Sequence, residues 1–289
     1  MRRIGVLTLL LLLTITAGAL VYLFSSDWPM FGQPNRIAVI EVRGLIDNVQ
    51  DTLEDLVKLR KDPRIKAFVV RIDSPGGAVG PTQELFRELH RSAESKPVVA
   101  SLGSVAASGG YYIAAAASRI VSSPGTVTGS IGVIVYYPNL RGLFEKIGYT
   151  MTTVKSGPFK DLGNPDREMT TEEKALLQNT VDEVHQQFVR DVAKARNLPE
   201  EKIRAVADGR ILTGASAQAL GLVDELGNFE DALRAAAALG KIEGEPKLVP
   251  TRKKRFSLLN LVLGSDLGNE LNSYAHSLGW IRYQAPIAP

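Results

Sequence analysis

The sequence predicts an α/β protein, a mostly parallel sheet covered by helices, carried behind an apolar N-terminal segment. Three observations predict it. From residue 36 onward, β-branched runs of strand length alternate with amphipathic stretches of helix length. The connections between them are short and rich in glycine and proline. Ahead of them, residues 4–24 (IGVLTLLLLLTITAGALVYLF) carry no charge. With 289 residues, 45% of them hydrophobic, the chain can fill a sizeable core.

The apolar segment, at 1.5 Å per helical residue, matches the ~30 Å hydrocarbon layer of a bilayer. Arg2 and Arg3 precede it, and Asp27 and Trp28 follow it. The positive-inside rule then puts the N-terminus in the cytoplasm and the rest beyond a plasma (inner) membrane crossed once. A signal peptide cut after Ala17-Gly18-Ala19 is the alternative, but the run is longer than the usual ~7–15-residue signal core. The expected layout is an anchor over 1–24, a linker over 25–35, a folded domain over 36–250 and a tail over 251–289.

Within the domain, RIAVIEV (36–42) reads as a buried strand, residues 51–62 as an amphipathic helix and IKAFVVRID (65–73) as a second strand. The loop SPGGAVGP leads into a helix over 82–95, and KPVVASLG is a third strand. Strand, helix, strand, helix, strand at this spacing implies right-handed crossovers and parallel pairing. Two loops, Ser74–Gly80 and Gly103–Gly110, then lie at the carboxyl ends of strands, where α/β folds place their sites. Further on, TVTGSIGVIVYY (126–137) and YTMTTVKSG (149–157) are strand-like, with a short helix between them. A long helix from Thr170 to about Asn197 has Thr170 or Thr171 as N-cap, and the region to 240 gives turn, helix, short strand and helix. The tail, basic in TRKKR (251–255) and then apolar in FSLLNLVLG, reads as a packed terminal helix.

Lys and Arg number 34 against 31 Asp and Glu, and apart from TRKKR they are spread along the chain, so no nucleic-acid partner is expected. The absence of cysteine excludes disulfides, thiolate metal sites and a cysteine nucleophile. His90, His185 and His276 lack metal-ligand spacing, so neither a metal nor another cofactor is expected.

The stretch GSVAASGGYY (103–112) sets Ser108 against two glycines. A phosphate cradle would need GxGxxG or GxxxxGK[ST], and neither occurs. A tight turn remains the plain reading, since glycine punctuates loops. The second glycine loop, DSPGG (73–77), lies one strand–helix unit earlier on the same edge, and such loops can hold the oxyanion of a tetrahedral intermediate. A serine nucleophile also needs a base. None of the three histidines falls in a loop at that edge. Lys160, in SGPFKD, does, with Lys155 as the rival. A lysine acts as base only when neutral, which requires burial or a similar influence to bring it down from ~10.4.

DSPGG, SVAASGGYYIAAAA, TVTGSIGV, KSGPFKDLGNPDRE and GRILTGASAQALGLVDELG, in that order over roughly 36–240, resemble the signal peptide peptidase A family in its short form. The resemblance implies a membrane-anchored serine endopeptidase with a Ser-Lys dyad and a crotonase-like (ClpP-like) β-α superhelix. It implies Ser108 as nucleophile, Lys160 as general base, Ser130 as the hydroxyl orienting that lysine, and Gly109 with Gly76 or Gly77 as the oxyanion hole. It further implies a homo-oligomeric ring with sites shared between protomers, and remnant signal peptides or other apolar chains as substrates. Val105 stands where many relatives carry methionine, an apolar exchange that leaves the nucleophile intact. Two other classes fit less well: a crotonase-type acyl-CoA enzyme, which needs neither span nor Ser-Lys pair, and a non-catalytic membrane scaffold of the same fold.

Overall fold

A computed structural model describes residues 12–18, 35–251 and 282–284. Residues 12–18 are helical (α1) and exposed. No helix among the described residues is long and apolar enough to cross a membrane. The expected span over 4–24 lies mostly outside the described residues, as do the linker up to residue 34 and the expected tail helix.

Strand β1 (Arg36–Arg43) pairs parallel with β2 (Ile65–Ser74), and β2 with β4 (Val98–Ala107). These strands are β-branched and apolar because both faces are covered. On one face Ala38, Ile40, Phe68, Val70 and Ile72 meet helices; on the other Ile37, Val39, Ala67 and Val69 meet α9 (Phe229–Leu239). The first face is covered by α2 (Gln50–Lys61), α3 (Val79–Ala93), α4 (Gly109–Ala115) and α6 (Thr171–Arg196).

The main sheet runs β7-β6-β4-β2-β1-β9, with β5 (Arg119–Ser122) on the first half of β4 and β8 (Glu225–Leu226) beside β5. β6 (Val127–Gly129) takes the second half of β4. Every pairing in this sheet is parallel except that of β6 with β7 (Ile211–Thr213). β9 (Lys247–Pro250) closes the far edge against β1. A shorter strand, β3 (Gly76–Ala78), follows β2, and β10 (Arg282–Gln284) pairs with it. Helices α7 (Glu200–Arg204) and α8 (Gly214–Ala219) complete the domain.

Three expectations change. The loop at Gly103–Gly110 shrinks to one residue, because β4 continues to Ala107 and α4 begins at Gly109. Gly103 therefore serves close packing rather than a turn: a Cβ there would lie 2.9 Å from Asp73 Cγ. The strand expected over 126–137 stops at Gly129, where Gly129 (φ +73°) and Ser130 (φ +50°) leave extended backbone. The strand expected over 149–157 does not form. Its residues are almost all exposed, Val154 by 95%, and no other described strand lies beside them to satisfy their backbone. Helix α5 (Arg141–Ile147), just before, buries no residue.

Candidate active site

Ser108 is the junction between β4 and α4, with φ +52° and ψ −116°, a backbone state that costs an L-residue about 1–3 kcal/mol. The packing on both sides enforces it. β4 pairs with β2 and β6, and α4 is buried over its whole length. Tyr111 donates to Leu222 O at 2.9 Å, and burial pushes its phenol well above the ordinary tyrosine range. Tyr112 donates to Asp191, and its ring lies edge-on to Phe188, centroids 4.7 Å apart. Gly110 lets the first turn of α4 sit on the end of β2, where a Cβ would come 2.7 Å from Ser74 O.

Ser108 is buried; its N–H donates to Gly129 O at 2.8 Å and its Oγ reaches Gly132 O only at 3.4 Å. The hydroxyl is thus weakly held. Ser130, also buried and at positive φ, is fixed by its N–H to Arg210 O at 2.8 Å. Ser130 and Gly132 line a cavity of about 410 Å³ together with Tyr136, Asp182, His185 and Asp208. His185 sits in α6, as its helical pattern predicts, but its Nε2 is buried with no hydrogen-bond partner among the described residues.

On the other side lies the glycine loop. Gly76 has φ +108°, and its N–H donates to Ser74 Oγ at 3.1 Å. Ile46 clamps β3 through Ile46 N–H to Gly76 O (2.9 Å) and Ala78 N–H to Ile46 O (2.7 Å). Gly77 packs so closely there that a Cβ would lie 2.1 Å from Ile46 O. Gly109 opens α4, so its N–H has no acceptor inside the helix.

The structure gathers Ser108, Ser130, Gly109 and the Gly76–Gly77 loop around the carboxyl ends of β2, β4 and β6. Among the described residues no hydrogen bond or ion pair joins Lys160 to them. It is exposed, its N–H bonds Gly157 O at 3.2 Å, and its side chain has no partner among the described residues. Its rival Lys155 is engaged by other partners, with Nζ 2.6 Å from Asp161 Oδ1 and 3.0 Å from Pro158 O.

Asp161, which the sequence reading did not single out, organises this loop. Arg167 binds Asp161 and Glu173, fastening the Lys160 turn to the first turn of α6. Hydrogen bonds from Arg167 and then Lys155 hold the Asp161 carboxyl well below the usual carboxylate range. Arg167 and the Thr170 N–H lower Glu173 to about 2. Glu173 and Thr170 also form a capping box. The D-x5-R-x5-E spacing was the available signal, but only the folded loop shows that one guanidinium reaches both carboxylates.

The model of peptidase family S49 matches residues 90–243, which contain Ser108, Ser130, Lys160 and the Asp161–Arg167–Glu173 network. The chain belongs to this family. This S49 peptidase is 41% identical over 254 residues to a Synechocystis protein named as a candidate protease, covering 87% of this chain and 91% of that one. It is 35% identical over 249 residues to the chloroplastic serine protease SPPA of Arabidopsis thaliana, covering 81% of this chain and 37% of that one. To protease 4 of Salmonella typhi it is 36% identical over 217 residues, 72% of this chain and 35% of that one. The S49 chain thus spans nearly all of the Synechocystis relative and little more than a third of the other two. Its mixed α/β sheet fits the family, and the signal peptide peptidase A resemblance of the motifs holds.

Proposed function

We propose that this S49 peptidase is a membrane-anchored serine endopeptidase that hydrolyses remnant signal peptides and other apolar chains, with Ser108 as nucleophile and Lys160 of a neighbouring copy as base. The observation that carries the reading is Ser108 itself: a buried serine held at φ +52° on a one-residue strand-to-helix turn, its hydroxyl nearly unengaged, beside a two-glycine loop. Strain of this kind clusters at active sites.

In this reading Ser108 Oγ attacks the scissile carbonyl while the neutral Lys160 amine removes its proton. The ammonium then returns that proton to the leaving amine, and water resolves the acyl-enzyme by the reverse relay. The Gly109 N–H and, since the Gly76 N–H donates to Ser74 Oγ, the Gly77 N–H are assigned to the developing oxyanion, and Ser130 Oγ is assigned to hold the lysine. Two features support supply of the lysine by a second copy: its exposure in this chain and the exposed apolar residues near it in sequence. Leu143, Ile147, Tyr149, Met151, Val154 and Phe159, in the segment leading to Lys160, are all exposed, an apolar content suited to a ring contact. The anchor over 4–24 would place the site beyond the cytoplasmic face, beside spent signal peptides.

The test is hydrolysis of a synthetic signal peptide by detergent-purified wild type, Ser108→Ala and Lys160→Ala, with oligomer size measured for each. Loss of cleavage in both variants at unchanged size is expected, with wild-type rate rising with pH because the base acts only as the free amine. Cleavage retained by either variant removes that residue from the chemistry.

A further inference from the structure

Ser74 meets the Ser108 turn on both sides. It ends β2, is fully buried, and pairs with Ala106 of β4, two residues before Ser108. Its carbonyl oxygen lies so close to Gly110, two residues after Ser108, that a Cβ there would come within 2.7 Å. Its Oγ turns to the glycine loop, accepting the Gly76 N–H at 3.1 Å and reaching Gly76 O at 3.4 Å. The β2–β4 ladder shifts register between Ile72 and Ser74, so regular strand pairing does not by itself hold this end of β2.

Pro75 carries no N–H, so the loop before Ala78 presents two donors, those of Gly76 and Gly77. Ser74 Oγ takes the first. Gly76, at φ +108°, has the freedom to turn its flanking peptides unless they are held. Ser74 Oγ holds the peptide before it, and the Ile46 N–H holds the one after it through Gly76 O at 2.9 Å. In a planar trans peptide the N–H points opposite to the C=O, so the Gly77 N–H is aimed away from Ile46.

We propose that Ser74 is a positioning residue of the oxyanion site: its Oγ and its own carbonyl set the loop donor of Gly77 against the helix donor of Gly109. The proposal rests on the reading of Ser108 as nucleophile and deepens it. Ser74 acts through the spacing of two N–H groups that come from separate segments. Such donors work in the transition state, where loss of one costs about 10²–10³-fold in kcat. Misplacing one by a fraction of an ångström costs less, roughly 10–100-fold, and leaves ground-state binding, and hence KM, within about twofold.

The experiment measures kcat and KM on a synthetic signal peptide for wild type, Ser74→Ala, Ser74→Thr and Ser108→Ala, each below its own melting temperature. Inhibition by a peptidyl boronic acid, which forms a tetrahedral adduct on a serine, is measured alongside. Ser74→Ala should lose about 10–100-fold in kcat at unchanged KM, and its boronate Ki should rise by the same factor. Ser74→Thr, which keeps the hydroxyl, should recover most of kcat. The melt of Ser74→Ala should fall as well, because the buried Gly76 N–H loses its acceptor. A purely structural role would lower the melt and leave kcat and boronate affinity at wild-type values, and that result overturns the proposal. A loss carried by KM alone overturns it too. Where Ser74→Ala does not fold, Ser74→Cys, a weaker acceptor of similar size, is held to the same criteria. Wild-type hydrolysis by Ser108→Ala instead overturns the nucleophile reading, and with it the site that Ser74 positions.

Discussion

Replacing Gly110 by alanine should separate the fit of α4 from the chemistry at its N-terminus. The added Cβ would sit 2.7 Å from Ser74 O, a backbone atom at the end of the central strand β2 that cannot swing aside. Reaching an ordinary contact requires a shift of about 0.7 Å between the first turn of α4 and β2. Ser108 is two residues before Gly110 and moves with that turn. Overpacking of this kind costs about 1–3 kcal/mol, offset in part by up to about 1 kcal/mol from alanine's better helix propensity. Net destabilisation of about 1–2 kcal/mol is expected, with a loss of roughly 10–100-fold in kcat/KM, as for a sub-ångström misplacement of a reacting group. The control is Gly80→Ala in the first turn of α3, where a Cβ meets nothing within 4 Å. That variant should be unchanged or more stable by about 0.5 kcal/mol. Thermal melts and peptide hydrolysis on both proteins decide it. Gly110→Ala indistinguishable from Gly80→Ala in both assays would refute the packing argument.

Strain at Ser108 predicts that Ser108→Gly is more stable than Ser108→Ala by about 1–2 kcal/mol, because glycine adopts φ +52° freely and alanine does not. Both should be inactive, and equal melting temperatures would show that the turn stores no strain. The Arg167 network gives a pH signature. Glu173 is lowered to about 2 by Arg167 and Asp161 is lowered too, so their contribution is complete above the unfolded value of about 4.3 and is lost as pH falls through the folded values. The stability gap between wild type and Arg167→Gln should be constant from pH 8 to 5 and shrink below about pH 4. A gap that widens on acidification contradicts this assignment.

The frame of the fold was legible because its signals are local. β1 and β2 announce themselves as β-branched runs buried on both faces, and α6 by Thr170, Glu173 and Asn197 at its caps. Ser108 between two glycine-bearing stretches was legible for the same reason: the residue types that permit the turn are adjacent in sequence. The residues 149–157 were misread because strand propensity is local and strand pairing is not: YTMTTVKSG has the composition of a strand and no described strand beside it. Gly103 misled in the opposite sense, since a glycine required by Asp73 across the sheet looks in sequence like a glycine required by a turn. The role of Asp161 and the covering of β3 by β10 join segments that are far apart or lie in coil, where no periodicity marks them.

If Ser108 is served by Lys160 of another copy of the chain, two inactive variants should complement each other when mixed. Ser108→Ala and Lys160→Ala proteins are dissociated, combined in equal amounts, reassembled and assayed on a synthetic signal peptide. With serine and lysine drawn from neighbouring copies at random, about one quarter of the sites in a closed ring pair an intact Ser108 with an intact Lys160. Recovery of about a quarter of wild-type activity from two inactive proteins is expected. No recovery from rings shown to contain both variants would place the base on the same chain as Ser108 and contradict it.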